Sequence, residues 1–168
     1  MKSYPTNQER TAEYLEKFNR EKILKYLIEN KSPVIFDVGA NVGSTLDEFK
    51  SWWPESTVHC FEPQKECWDS LELSAKKYSE GSVLINKFAV GSIPDDFATF
   101  YTHDINSGVS GFNRINMESR DSVHLQNILE SDVEAFPEYE QSLNHQRCVK
   151  VVRADDYMNA LDSEVRRV

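Results

Sequence analysis

The chain has 168 residues, 39% of them hydrophobic and 28% charged, which suits one globular domain and excludes a clearly disordered chain. Acidic residues outnumber basic ones by 28 to 19, for a net charge of −9, so nucleic acid is not expected as a partner. No apolar run approaches the ~20 residues that span a bilayer, and Met1-Lys2-Ser3-Tyr4-Pro5 offers no apolar core for a signal peptide; the expectation is no membrane association and a cytoplasmic location.

Thr6-Asn7-Gln8-Glu9 fits a capping box. Leu15, Phe18, Ile23, Leu24, Leu27 and Ile28 follow at nearly helical spacing, so residues 1–33 read as an N-terminal segment of one or two amphipathic helices, stopped by Lys31-Ser32-Pro33. Val34-Ile35-Phe36-Asp37-Val38 is a short, almost wholly apolar run, which predicts a strand covered on both faces. Gly39 to Gly43 predicts a turn, and Leu46, Phe49 and Trp53 a helix ended by Pro54. Val58 to Phe61 is a second strand; Pro63 suits the first position of a helix with Trp68, Leu71, Ala75 and Tyr78 on its buried face. Val83 to Val90 reads as a third strand closed by Gly91. Strands alternating with helices imply an α/β fold with a parallel, right-handed, doubly wound sheet.

The second half reads differently. Phe97 to Tyr101 is a strand, Asn106 to Gly111 a polar turn-rich loop, and Leu125, Ile128, Leu129, Val133 and Phe136 a helix ended by Pro137. Cys148 to Val152 is a last strand, followed by a short helical segment after Ala154-Asp155-Asp156-Tyr157.

The chemistry concentrates in Asp37-Val38-Gly39-Ala40-Asn41-Val42-Gly43 and in Glu62. A strand ending in a glycine turn lets a ligand approach the backbone, and the helix that follows presents free N–H groups. An acid ending the second strand stands beside the same crevice, where it can accept both hydroxyls of a ribose. A dinucleotide fold wants G-x-G-x-x-G for its pyrophosphate. Here Asn41 holds the middle glycine's place and Asp37 precedes the first glycine; an acid there repels a pyrophosphate and attracts an ammonium. A ribose at one end and an aminoacyl group at the other describe S-adenosylmethionine.

These residues, with Phe61-Glu62-Pro63, resemble the FkbM-type branch of class I S-adenosylmethionine-dependent methyltransferases. The resemblance extends through Phe88-Ala89-Val90-Gly91-Ser92 and Val151 to Tyr157, and so covers most of residues 34–157. It implies that residues 34–168 form a Rossmann-like, cofactor-binding methyltransferase domain. Asp37, Gly39, Ala40, Asn41 and Gly43 would hold the methionine part, Glu62 the ribose, and Ala89 would flank the adenine. The implied activity is O-methylation of a sugar or another small hydroxylated metabolite. The family's later strands have no counterpart before Val168, so the domain is expected to be incomplete at its C-terminus. The strand at Val34 to Val38 would then be left with an unpaired edge, covered by Val149 to Val152 or by a second copy of the chain in a homo-oligomer. A catalytically incomplete binding or scaffolding module is the alternative function.

Other residues carry blander readings. Asp37 can cap the turn and Glu62 the following helix. Cys60, Cys67 and Cys148 are odd in number without a CxxC, which argues for reduced thiols and against a disulfide scaffold or metal site. His59 and Cys60 point to opposite faces of a strand, as a surface imidazole and a buried thiol. Asp155-Asp156 reads as a solvated pair. His103, His124 and His145 are bases by residue type alone, each expected at the surface, and no catalytic residue is singled out.

Overall fold

A computed structural model describes residues 7–104, 106–119 and 141–165. Two helices, α1 (Asn7–Lys17) and α2 (Arg20–Leu27), come first. Asn19 separates them: its backbone is extended and its side chain accepts from the Lys22 N–H at 2.9 Å, which caps α2. Thr6, which begins the expected capping box, lies outside the described residues. The helix ends at Leu27, before the Lys31-Ser32-Pro33 stop. The apolar positions Phe18, Ile23 and Leu27 are exposed rather than buried. The segment is fastened instead through Arg20, which donates to Glu48 at 2.7 Å and lies over the rings of Phe49 and Trp52.

The alternating pattern then forms as expected: β1 (Val34–Val38), α3 (Ser44–Trp52), β2 (Thr57–Phe61), α4 (Lys65–Ala75) and β3 (Val83–Asn86). The strands are parallel in the order β1-β2-β3, with Val34 opposite Thr57 and Val58 opposite Val83. The protein is therefore α/β with a parallel sheet and helices, compatible with a Rossmann-like fold. Period-2 alternation divides the faces. Ile35, Val58 and Cys60 pack with Leu46 of α3 and Leu71 of α4. Pro63 does not start α4; Gln64 is its N-cap, because the Gln64 N–H is drawn back to a Glu62 carboxylate oxygen at 2.8 Å.

The expected third strand over 83–90 divides. Residues Val83–Asn86 stay beside β2, whereas β4 (Ala89–Val90) pairs in parallel with β6 (His145–Val152). An eight-residue strand, β5 (Asp95–Thr102), runs antiparallel to β6, giving a second sheet of order β4-β6-β5. Ala89, Phe100, Val149 and Val151 form its core. Helix α5 (Ala154–Val165) follows. Its Tyr157 meets the rings of Phe36, His59, Phe61 and Phe88 on the sheet face opposite α3 and α4. The helix expected over 125–136 lies outside the described residues.

Because β6 is engaged by β4 and β5, it does not cover β1. Among the described residues β1 pairs only with β2, and Val34 and Val38 are 65% and 59% exposed. The middle of the strand is covered on both faces, by α3 and α4 at Ile35 and by Tyr157 at Phe36, whereas its two end residues are exposed. No helix among the described residues is long and apolar enough to cross a membrane.

His59 is a correction to the expected surface imidazole. It is 5% exposed, with Nδ1 2.8 Å from the Tyr157 hydroxyl, and burial lowers its pKa from 6.5. A depressed base takes up its proton in the unfolded chain first, so stability falls as pH drops below the ordinary imidazole value. Melting temperature should therefore hold above pH ~7 and decline toward pH ~5. Replacing His59→Gln should flatten part of that decline; an unchanged slope in the variant would remove His59 as its source.

Candidate functional site

The turn after β1 is built from left-handed backbone: φ is +83° at Gly39, +49° at Asn41 and +95° at Gly43. Glycine takes such angles without steric cost, and asparagine tolerates them. The N–H groups of Gly39 and Ala40 both donate to the Phe61 carbonyl, at 2.9 and 3.1 Å, which folds the turn over the end of β2. The two glycines then differ. A side chain at Gly39 would meet nothing within 4 Å, whereas a Cβ at Gly43 would lie 3.0 Å from the Ser74 Cβ and 3.2 Å from Leu71 Cδ1. Gly39 leaves open space at the end of the strand; Gly43 lets the turn press against α4.

Glu62 joins this turn to the next one. It is 2% exposed. Its Oε2 accepts from the Asn41 N–H and its Oε1 from the Gln64 N–H, each at 2.8 Å. A carboxylate has about four acceptor positions, so two remain. The helix-capping alternative is thus realised in part, through Gln64, with acceptor capacity to spare.

The side chains of the same two residues reach across to a loop after β5. Asn41 Nδ2 donates to Ser107 Oγ at 2.8 Å, Ser107 Oγ donates to Asn41 Oδ1 at 3.1 Å, and Gln64 Nε2 donates to the Ser107 carbonyl at 3.2 Å. Ser107 sits in a single 3₁₀ turn, Ser107–Val109. Between the turns, this loop and β4 lies a cleft of about 280 Å³. Gly39, Asn41, Glu62 and Ala89 line it, together with Phe100 and Phe112, whose rings meet edge to face at 5.2 Å. Its lining is mixed, with Asn41, Glu62, Gln64 and Ser107 polar and Ala89, Phe100 and Phe112 apolar.

Of the sequence-predicted site residues, Gly39, Asn41, Glu62 and Ala89 therefore converge on one cleft. Ala40 is buried with the core under the turn, and Gly43 faces α4. Asp37 is 7% exposed and shares the sheet face of its register partner Cys60. Its Oδ2 has no hydrogen-bond partner. Burial raises the Asp37 pKa, Arg20 opposes that rise, and Glu62 adds to it. The same burial, with the Asp37 charge, pushes the Cys60 thiol up to about 12, which makes Cys60 an inert buried thiol. Gln64, Ser107, Phe100 and Phe112 escaped the sequence reading. The only signals were a polar residue after Pro63 and the turn-rich loop.

The histidines do not assemble into a base. His103 is buried rather than at the surface: its Nδ1 accepts from the Asn144 N–H at 3.2 Å, and burial with the nearby His145 lowers its pKa. His145 Nε2 stands 3.1 Å from Asp104 Oδ2. His124 lies outside the described residues. Asp155 is exposed and meets Arg153 at 3.1 Å. Among the described residues no three His, Cys, Asp or Glu side chains are placed to hold a metal ion.

Two stability differences follow from these positions. Gly43→Ala should cost ~2–3 kcal/mol, because positive φ and crowding add, and Gly39→Ala only ~1 kcal/mol, from φ alone; denaturant unfolding of both checks the order. A raised carboxyl pKa costs stability above its unfolded value and nothing below it. Asp37→Asn should accordingly raise the melting temperature at pH 7, with the gain vanishing below pH ~3.8; an unchanged or lower value at pH 7 would mean that the carboxylate is compensated. Compared with known proteins, the chain matches no family model and no curated protein, so its cleft is read from these residues.

Proposed function

We propose that the chain is a class I-type methyltransferase unit that binds S-adenosylmethionine in the cleft beyond the ends of β1 and β2. The observation that carries this is Glu62: a buried carboxylate at the end of the second strand, facing the cleft with two acceptor positions left beside the Asn41 and Gln64 bonds. Two adjacent acceptor positions match the paired hydroxyls of a ribose. Gly39 leaves space for the ligand to approach the backbone. Ala89, Phe100 and Phe112 offer an apolar wall to a purine. Asp37, expected to hold the methionine part, is buried on the face of Cys60 and does not line the cleft, so its orphaned oxygen is not a contact of this reading.

When bound, S-adenosylmethionine supplies an electrophilic methyl group on a sulfonium. The residues of this chain do the positioning: the turn and Glu62 fix the nucleoside, and the cleft sets the direction from which an acceptor arrives. The acceptor we favour is a hydroxyl of a sugar or similar small metabolite, by the resemblance to FkbM-type enzymes. A second reading, a binding or scaffolding module of the same fold without turnover, is favoured by the outer edge of β1, which pairs with no strand among the described residues.

Titration calorimetry with S-adenosylhomocysteine tests the first reading. Glu62→Ala should weaken binding by ~1.5–3 kcal/mol, and Glu62→Gln by less, since the amide keeps one acceptor. Thermal melting of each variant separates lost ligand contact from lost loop anchoring. Equal affinity in the parent and Glu62→Ala would remove the ribose assignment. Binding without methyl transfer to any hydroxylated acceptor would favour the scaffolding reading.

A further inference from the structure

The loop after β5 is closed at its base and fastened at its tip by different means. At the base, Tyr101 and Gly111 exchange backbone hydrogen bonds at 2.8 and 3.0 Å. The His103 N–H also donates to Ser110 Oγ at 3.2 Å. The tip is fixed within itself: the Asn106 side chain accepts from the Gly108 N–H, and Ser110 N–H donates to the Ser107 carbonyl. Among the described residues, the bonds from the tip to the β1 and β2 turns run through Ser107, to Asn41 and Gln64, and Ser107 also hydrogen-bonds the Cys67 side chain of α4. A firm base with one anchoring residue at the tip is the construction of a hinged strap.

The strap also limits the cleft. Ser107, Gly108, Ser110 and Gly111 line it. With the tip fastened the volume is about 280 Å³, at or below the lower end of small-molecule sites, roughly 300–1,000 Å³. Of the cleft's walls, the strap is the one held by side chains rather than by sheet.

We infer that residues 106–111 form a latch over the cleft, with Ser107 as its catch, and that release of Ser107 from Asn41 and Gln64 admits and discharges the ligand. Ser107 is a positioning residue here: it acts through the strap and sets exchange rates. The proposal rests on the cofactor reading above for the identity of the ligand, and on the strap geometry for the latch itself. Asn41 and Gln64 couple the two, because their backbone N–H groups are held by Glu62 while their side chains hold the catch. A ligand hydroxyl that takes Glu62 acts on the same two residues.

Two measurements on Ser107→Ala test this in the full chain. Hydrogen exchange of the unliganded protein should be about tenfold faster over 106–110, the size of effect expected for a lost pair of neutral hydrogen bonds, while Tyr101 and Gly111 keep their protection. Asn41→Gly, which keeps the left-handed backbone and the N–H to Glu62, should give the same change. Stopped-flow binding of S-adenosylhomocysteine should show association and dissociation both faster, with Kd moved much less than either rate. Unchanged exchange at the tip in both variants overturns the latch. Faster exchange with unchanged ligand rates overturns its role as a gate. Failure of the parent protein to bind S-adenosylhomocysteine counts against the cofactor reading alone, since the exchange experiment judges the latch without a ligand.

Discussion

A carboxylate with almost no solvent exposure holds the working end of this fold together. Burying such a group is costly unless its oxygens find donors. Glu62 finds them in two backbone N–H groups, of Asn41 and Gln64, on the turns that end β1 and begin α4. Neither turn can move away without stranding a charge. The left-handed angles at Gly39, Asn41 and Gly43 follow, because only a tight turn folded over the Phe61 carbonyl brings the Asn41 N–H to the end of β2. Once these N–H groups are fixed, the side chains of Asn41 and Gln64 are aimed at Ser107.

The parallel register makes this convergence possible. Asp37 opposite Cys60 and Val38 opposite Phe61 place the ends of β1 and β2 level, so the loops leaving them are neighbours. The far wall belongs to the second sheet. Ala89 reaches the cleft because β4 breaks from β3 and pairs with β6, and Phe100 because β5 runs back along β6. The division of the third strand thus gives the cleft an apolar side. Phe88, in the break, packs on Phe61 and Tyr157 and seats α5 against the other face of the parallel sheet.

What the sequence revealed and what it hid divide along local and non-local causes. Strand β1 was legible to the residue, and α3, β2 and the glycine turn nearly so, because apolar runs, a proline stop and glycines act within a few residues. Glu62 was legible from its place at a strand end. The start of α4 was misjudged: Pro63 suits a first helical position, but Glu62 captures the Gln64 N–H and delays the helix. The third strand read as continuous because six of the eight residues from Val83 to Val90 are apolar; it divides around Asn86-Lys87, where β4 leaves to pair with β6, more than fifty residues later in the chain. His59 was read as a surface residue since nothing local announces Tyr157 as its partner. Ser107 carried only the signature of a turn, and its contacts come from residues equally remote in sequence.

Among the described residues, strand β1 combines an unpaired edge with an orphaned buried oxygen. The Pro33 carbonyl and the Gly39 N–H both bond to β2. Alternation in a parallel ladder therefore turns the backbone groups of Val34, Phe36 and Val38 to the outer edge, where the described residues provide no strand. The next residue inward, Asp37, holds a buried oxygen without a donor. An exposed apolar edge favours pairing with another strand, and a buried orphan acceptor favours a cationic or hydrogen-bonding ligand. Either event, by binding the folded chain alone, stabilises it by mass action. Both features belong to one five-residue strand, so an event at either would restrain backbone that the other shares.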